Sequence, residues 1–279
     1  MTDRRRTSFL CPNCRKLLSA GESVCPYCGM KNPSSGFLRL LLVGRRADLD
    51  PVRILIGVNA ACYLLSLLLN PMGAGFSMNP FTFLSPTTNS LFVLGATGTI
   101  PVEGYGRWWT LLTASFLHGG ILHIIFNMMA LHQLGPFVRQ EYGTARFLLI
   151  YLLSGVAGFL VSLPAGIPFT IGASASVCGL IGAILYYGKS RGGFYGQAVY
   201  RQAMGWIVGL ALFGLVFPGI NNWAHGGGIA AGVLIGFLAG YEENRAETAL
   251  HRALSATVVI LNAAVLAWAS VRAFYLAFF

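Results

Sequence analysis

Apolar runs long enough to cross a bilayer, about 20 residues each, recur along this chain from residue 52 onward, and few soluble folds accommodate so many. They lie near Val52–Leu69, Ile121–Val138, Ala145–Leu163, Ser174–Gly188, Ala203–Phe217, Trp223–Gly240 and Leu254–Leu276. In hydrocarbon the backbone must satisfy its own polar groups, so each run predicts a helix. With 55% hydrophobic and 10% charged residues, the composition excludes an ordinary soluble domain. The predicted class is an all-α polytopic membrane protein.

The formal net charge of +10 is concentrated in the first 53 residues and in alternate short loops. Loops holding Arg139 and Arg146, Lys189 to Arg201, and Arg245 to Arg252 are basic. Those holding Glu103 and Arg107, Pro164 to Thr170, and Pro218 to Asn221 are nearly uncharged. This alternation predicts a cytoplasmic amino terminus and an outside carboxyl terminus, in a plasma or inner membrane. The same distribution points the positive charge at a lipid surface, and no nucleic-acid partner is expected. No cleavable signal precedes the first run, which is expected to stay in place.

Four of the six cysteines form two Cys-Pro-x-Cys turns, Cys11/Cys14 and Cys25/Cys28. Such turns aim paired thiolates at one tetrahedral ion, so the reading is a structural Zn2+ held by four sulfurs in a reducing compartment. Residues 1–33 are read as a zinc ribbon that offers a surface to a cytosolic partner. Residues 34–50 are a basic linker with a short interfacial segment, and residues 51–279 are the transmembrane domain.

Ser174 and His225 carry the chemistry in this reading. Ser174 lies 15 residues before Lys189, and His225 lies 15 before Gly240. At about 1.5 Å per residue, both sit at one depth, where an ionisable side chain is costly and functional by default. A serine and a histidine at equal depth can form a nucleophile–base pair. No acidic residue shares that depth, so a dyad is predicted rather than a triad, its imidazole oriented by packing or by neutral partners such as Asn221, Asn222 or a loop carbonyl.

His123 and Asn127 fall on one helix face. They can supply oxyanion donors beside the Ser174 N–H, or simply cross-link the bundle. Ser176 is a rival nucleophile facing about 200° away, and His118 reads as a structural histidine at the membrane rim. Small residues at four-residue spacing run along two helices: Ala224, Gly228, Gly232, Gly236 and Gly240 on one, Ala175, Gly179 and Ala183 on the other. That pattern lets two backbones approach closely and brings Ser174 to His225.

The set Trp108-Trp109, His118-x4-His123-x3-Asn127, Gly172-x-Ser174 and Ala224-His225-x2-Gly228-x3-Gly232 resembles the rhomboid family of intramembrane serine proteases. The resemblance implies a six-helix core with an additional seventh helix at the carboxyl end. It also implies Ser174 as nucleophile, His225 as base and His123 with Asn127 as oxyanion donors. The implied activity is a serine endopeptidase acting on transmembrane segments. Three positions depart from the family pattern: Ala175 where glycine is usual, Cys178 where an aromatic commonly packs on the histidine, and Thr110 in place of an arginine. They motivate a second reading, a rhomboid-like protein that binds transmembrane helices without cutting them. A transporter is disfavoured because no paired broken helices in related halves are visible.

Overall fold

The computed structural model describes residues 8–11, 17–19, 22–27, 29, 31, 50–70, 73, 83–217 and 219–279, and the chain divides into two units, residues 1–50 and 51–279. In the first, β1 (Ser8–Leu10) pairs antiparallel with β2 (Leu17–Ser19), Phe9 opposite Leu18. A second turn is closed by a bridge between Val24 and Lys31. Inside it, the Gly29 N–H donates to the Cys25 carbonyl at 2.9 Å, with Gly29 in the left-handed region at φ +71°. Cys11 and Cys25 are both buried. Cys14, Cys28, the linker at 32–36 and the interfacial segment at 37–43 lie outside the described residues.

The second unit holds α1 (Pro51–Leu68), α2 (Thr88–Leu94), α3 (Thr110–Thr113), α4 (Ile121–Tyr142), α5 (Thr144–Ser162), α6 (Ser174–Arg191), α7 (Gly193–Val216), α8 (Asn222–Ala239) and α9 (Ala249–Phe278). Local chemistry sets several of their ends. Pro51 opens α1 at a position where its missing N–H costs nothing. Thr248 caps α9 through a reciprocal pair of bonds with His251. Asn221 caps α8, its side-chain oxygen accepting from the Ala224 N–H at 3.0 Å.

Five of these helices, α1, α4, α5, α7 and α9, are long and apolar enough to cross a membrane. The two remaining long helices, α6 and α8, carry Ser174 and His225 at their first turns. Helices appear at all seven apolar runs, with shifted bounds. The basic stretch after Lys189, read from its charge as a loop, is helical from Gly193, because the Gly192–Gly193 pair reverses the chain within two positive-φ residues. Helix α4 continues past Pro136 to Tyr142, and α9 begins at Ala249 rather than Leu254. The short α2 and α3, and the π-helical turn Ile100–Gly104, are built from segments with no long apolar signature.

The most extensive packing is α6 against α8, followed by α5 against α8. Along this seam backbone meets backbone. A methyl added at Gly228 would lie 2.2 Å from the Ala175 carbonyl oxygen, and one at Gly232 would lie 1.9 Å from that of Gly179. Only glycine fits there, which gives the small-residue stripe its physical meaning. Helix α5 is central, with 61% of its apolar window buried, whereas α7 at 11% and α9 at 17% are peripheral.

At one end of this unit a buried arginine gathers three helix ends. Arg146, at the start of α5, donates to the carbonyls of Gly240 at 2.9 Å and Arg245 at 2.8 Å, and pairs with Glu242. Glu247 accepts from the Ala145 and Arg146 N–H groups, capping α5 from the segment before α9. Ser174 and His225 lie at the opposite end, at the first turns of α6 and α8.

A Gly232→Ala substitution is expected to lower the melting temperature, because overpacking at a closed seam costs about 1–3 kcal/mol. It should also weaken labelling of Ser174 by a fluorophosphonate probe, by widening the separation of α6 and α8. Thermal denaturation in detergent alongside probe labelling measures both effects.

Candidate active site

The segment before α6 is tied on several sides. Thr97 and Thr170 form a two-way backbone bridge, with N···O distances of 3.1 and 2.7 Å. The Asn221 amide donates to the Thr170 hydroxyl at 3.1 Å, joining this segment to the start of α8. The Gly172 N–H donates to the Ala114 carbonyl at 2.9 Å, and its φ of +122° disfavours any side chain. A Cβ at Gly172 would also strike His123 Nε2 at 2.7 Å. Glycine here lets that imidazole lie directly against the approach to Ser174.

Ser174 is the first residue of α6, and Ala173 supplies no side-chain cap. The first N–H groups of the helix therefore remain available to an anion. Ser174 Oγ lies 2.9 Å from His225 Nε2. For the serine hydroxyl to donate across this contact, the neutral imidazole must carry its proton on Nδ1. That nitrogen is buried and has no partner among the described residues. The sequence pointed to Asn221, Asn222 or a loop carbonyl as ring-orienting groups. Instead Asn221 caps α8 and holds Thr170, while Asn222 donates to the Gly214 carbonyl at 2.9 Å.

His123 is fixed in the complementary tautomer. The Gly119 N–H donates to its Nδ1 at 3.3 Å, so its proton belongs on Nε2, the nitrogen against Gly172. Asn127 donates one amide hydrogen to the His123 carbonyl at 2.9 Å and lines the same cavity as Ser174. That cavity has a volume of about 710 Å³ and lies among α4, α6, α7 and α8. Phe126, Phe159, Phe169, Phe213 and Phe217 make much of its wall apolar.

The rival serine faces elsewhere. Ser176 is fully buried, its hydroxyl 3.4 Å from that of Ser115 and directed at the Gly155 side of α5. His118 is fully buried, edge-to-face with His123 at a centroid distance of 5.0 Å. The Ala175 methyl is accommodated opposite Gly158, where a second Cβ would come within 2.9 Å. Cys178 borders the cavity one turn below Ser174. Among the described residues no aromatic ring is paired with His225; Trp223, two residues before it, and Phe126, on the cavity wall, are 59% and 57% exposed.

The rhomboid-domain family profile matches residues 105–242, a span that contains Ser174, His225, His123 and Asn127. Rhomboid protease GluP of Bacillus subtilis (strain 168) is 35% identical over 148 residues, covering 53% of this chain and 29% of GluP. RHOMBOID-like protein 4 of Arabidopsis thaliana is 35% identical over 162 residues, 56% of this chain and 40% of that protein. The rhomboid protein YdcA of Bacillus subtilis (strain 168) is 32% identical over 143 residues, 50% of this chain and 71% of YdcA. The chain belongs to the rhomboid family. With its five apolar helices, this rhomboid is an integral membrane protein. It spans well under two thirds of GluP and RHOMBOID-like protein 4, and the rhomboid profile leaves out α1 and α9.

Filling the space beside the unsupported ring tests the Cys178 departure. In the peptidase reading that the resemblance implies, Cys178→Phe is expected to raise kcat with little change in KM, because a fixed imidazole spends less time in unproductive orientations. An unchanged melting temperature would show that the cavity admits the ring without strain. A variant that is no faster at wild-type stability would show that His225 is already held.

Proposed function

We propose that this rhomboid is an intramembrane serine endopeptidase that cleaves transmembrane segments of membrane proteins through a Ser174–His225 dyad. The observation that carries the reading is the 2.9 Å contact between Ser174 Oγ and His225 Nε2 at an uncapped helix start facing an apolar cavity. His225 takes the hydroxyl proton as Oγ bonds to the scissile carbonyl carbon, and the carbonyl oxygen becomes an oxyanion. The Ser174 N–H, His123 Nε2–H and the remaining Asn127 amide hydrogen are the donors that stabilise it. Collapse breaks the C–N bond while His225 returns its proton to the leaving amine. Water, activated by the same imidazole, then releases the acyl group from Ser174.

The apolar cavity wall suits a substrate taken from lipid. A helical substrate hides its carbonyls in its own hydrogen bonds, so the segment must be unwound at the cleaved bond. In this reading all seven long helices span the bilayer, with the amino terminus cytoplasmic and Ser174 toward the outer face. The basic helix ends around Arg139, Arg146, Arg191 and Arg245 support that orientation. Binding of transmembrane helices without cleavage is the second reading, favoured by the unpartnered Nδ1 of His225.

A fluorophosphonate probe should label wild-type protein and fail to label Ser174→Ala, and His225→Ala should cut labelling by orders of magnitude. Labelling retained in Ser174→Ala and lost in Ser176→Ala would move the nucleophile. Probe-inert wild type that still binds a transmembrane peptide would favour the non-cleaving reading.

The amino-terminal unit is proposed as a zinc ribbon. Buried Cys11 beside β1 and buried Cys25 in a turn closed by Gly29 fit a pair of thiolate knuckles. Cys14 and Cys28 would complete the ligand set, giving a closed site whose metal stabilises the fold and takes no part in hydrolysis. One zinc per chain should copurify, and Cys25→Ser should release it, as read by elemental analysis.

A further inference from the structure

Of the nineteen lysines and arginines, seventeen lie in residues 1–53 or near the helix ends on the Arg146 side of the membrane unit. The two exceptions, Arg107 and Arg272, are 165 residues apart in sequence and are brought together at the Ser174 end. An aromatic pair joins them. Trp109 and Trp268 meet edge-to-face at 5.0 Å; the Arg107 guanidinium lies 4.6 Å from the Trp109 ring and 4.3 Å from that of Phe92. Arg272, one turn beyond Trp268 on α9, lies 5.8 Å from the Trp268 ring.

Like charges gathered in one place call for an anion. Among the described residues the one acidic side chain at this end is Glu103, which is exposed and forms no ion pair with either arginine. The Arg107 side chain donates to the Val93 carbonyl at 3.3 Å, but its Nε is buried without a partner among the described residues. Its backbone is held by a bond from its N–H to the Pro101 carbonyl and by the Thr110 hydroxyl, so the guanidinium is preorganised. Burial and the nearby Arg272 charge hold the Arg107 guanidinium below its ordinary pKa.

The surroundings indicate where the anion resides. Trp108, Tyr105 and Trp268 are at least half exposed, as amphipathic rings are at headgroup depth. Beside Arg272, Val271, Phe274 and Tyr275 present an exposed apolar strip along α9, suited to acyl chains rather than water. We propose that Arg107 and Arg272 form a binding site for the phosphate of an anionic phospholipid, at the junction of α9 with the loop before α3. Guanidinium forks match phosphate oxygens, and a choline headgroup would add a cation to an already cationic site.

Bromolipid quenching of tryptophan fluorescence tests this without requiring peptidase activity. Full-length protein is reconstituted in phosphatidylcholine bilayers containing a small fraction of brominated phosphatidylglycerol or brominated phosphatidylcholine. Wild type should be quenched preferentially by the brominated phosphatidylglycerol. Arg107→Gln and Arg272→Gln should each reduce that preference about fivefold, and Arg272→Lys should retain part of it. Arg272 is exposed on α9, so its variants test the site even if Arg107→Gln proves unstable. Equal quenching by the two lipids in wild type, or a preference unaltered in the double glutamine variant, would overturn the proposal. Relief of quenching by millimolar inorganic phosphate, absent with equimolar chloride plus ionic-strength matching, would assign the site to soluble phosphate and overturn the lipid assignment.

Discussion

Backbone contact between α6 and α8 is the constraint on which the rest of the membrane unit depends. Gly228 and Gly232 place α8 against the carbonyls of Ala175 and Gly179 with no room for one further carbon. Because Ser174 and His225 stand at the first turns of these two helices, the seam sets the spacing of this hydrogen-bonded pair. One residue of slippage would displace one partner by about 1.5 Å, half the length of the hydrogen bond between them. Apolar burial alone would not fix that register, since side chains facing lipid are indifferent to sliding.

Around the seam the chain spends its polar groups on position. Thr97, Thr170 and Asn221 bind three separate segments into one support for the Ser174 approach, and Gly119 dictates which nitrogen of His123 carries the proton. Among the described residues no carboxylate takes part. The His225 ring is thus held by its serine contact and by shape, and Cys178 contributes little shape. This economy suits a membrane interior, where an additional buried charge costs several kcal/mol in desolvation.

The long helices were legible in the sequence because hydrocarbon forces one backbone solution on a run of apolar residues. Ser174 and His225 were legible because their depths agree and the small-residue stripes imply contact. What escaped depends on partners far apart in the chain. Nothing local in Thr97 announces a bridge to Thr170, and Asn221 read as a ring-orienting group because its cap and its hydroxyl partner are visible only in three dimensions. The start of α7 was hidden by charge: Lys189 to Arg201 resembles a loop by composition, yet two glycines make the turn and the basic residues continue as helix. Burial of His118 beside His123 was likewise invisible, since His118 lies in the loop before α4, where no helix periodicity indicates its neighbours.

Helix α9 lies outside the rhomboid-domain match and is largely exposed, yet it is attached at two separated points. At its start, Glu247 caps α5 and Arg146 grips the adjoining segment; two thirds of the way along, Trp268 leans on Trp109. The stretch from Ala249 to Trp268 is thereby a tie-rod of fixed length, about 29 Å. A bilayer whose thickness does not match it is met by tilt, and tilt of a rod with two pins is delivered to whatever the pins hold. At one end that is the clasp of three helix termini. At the other it is the helical turn after α3, whose Ala114 carbonyl holds Gly172, two residues before the serine. Membrane thickness is thereby given a mechanical route to the Ser174–His225 contact.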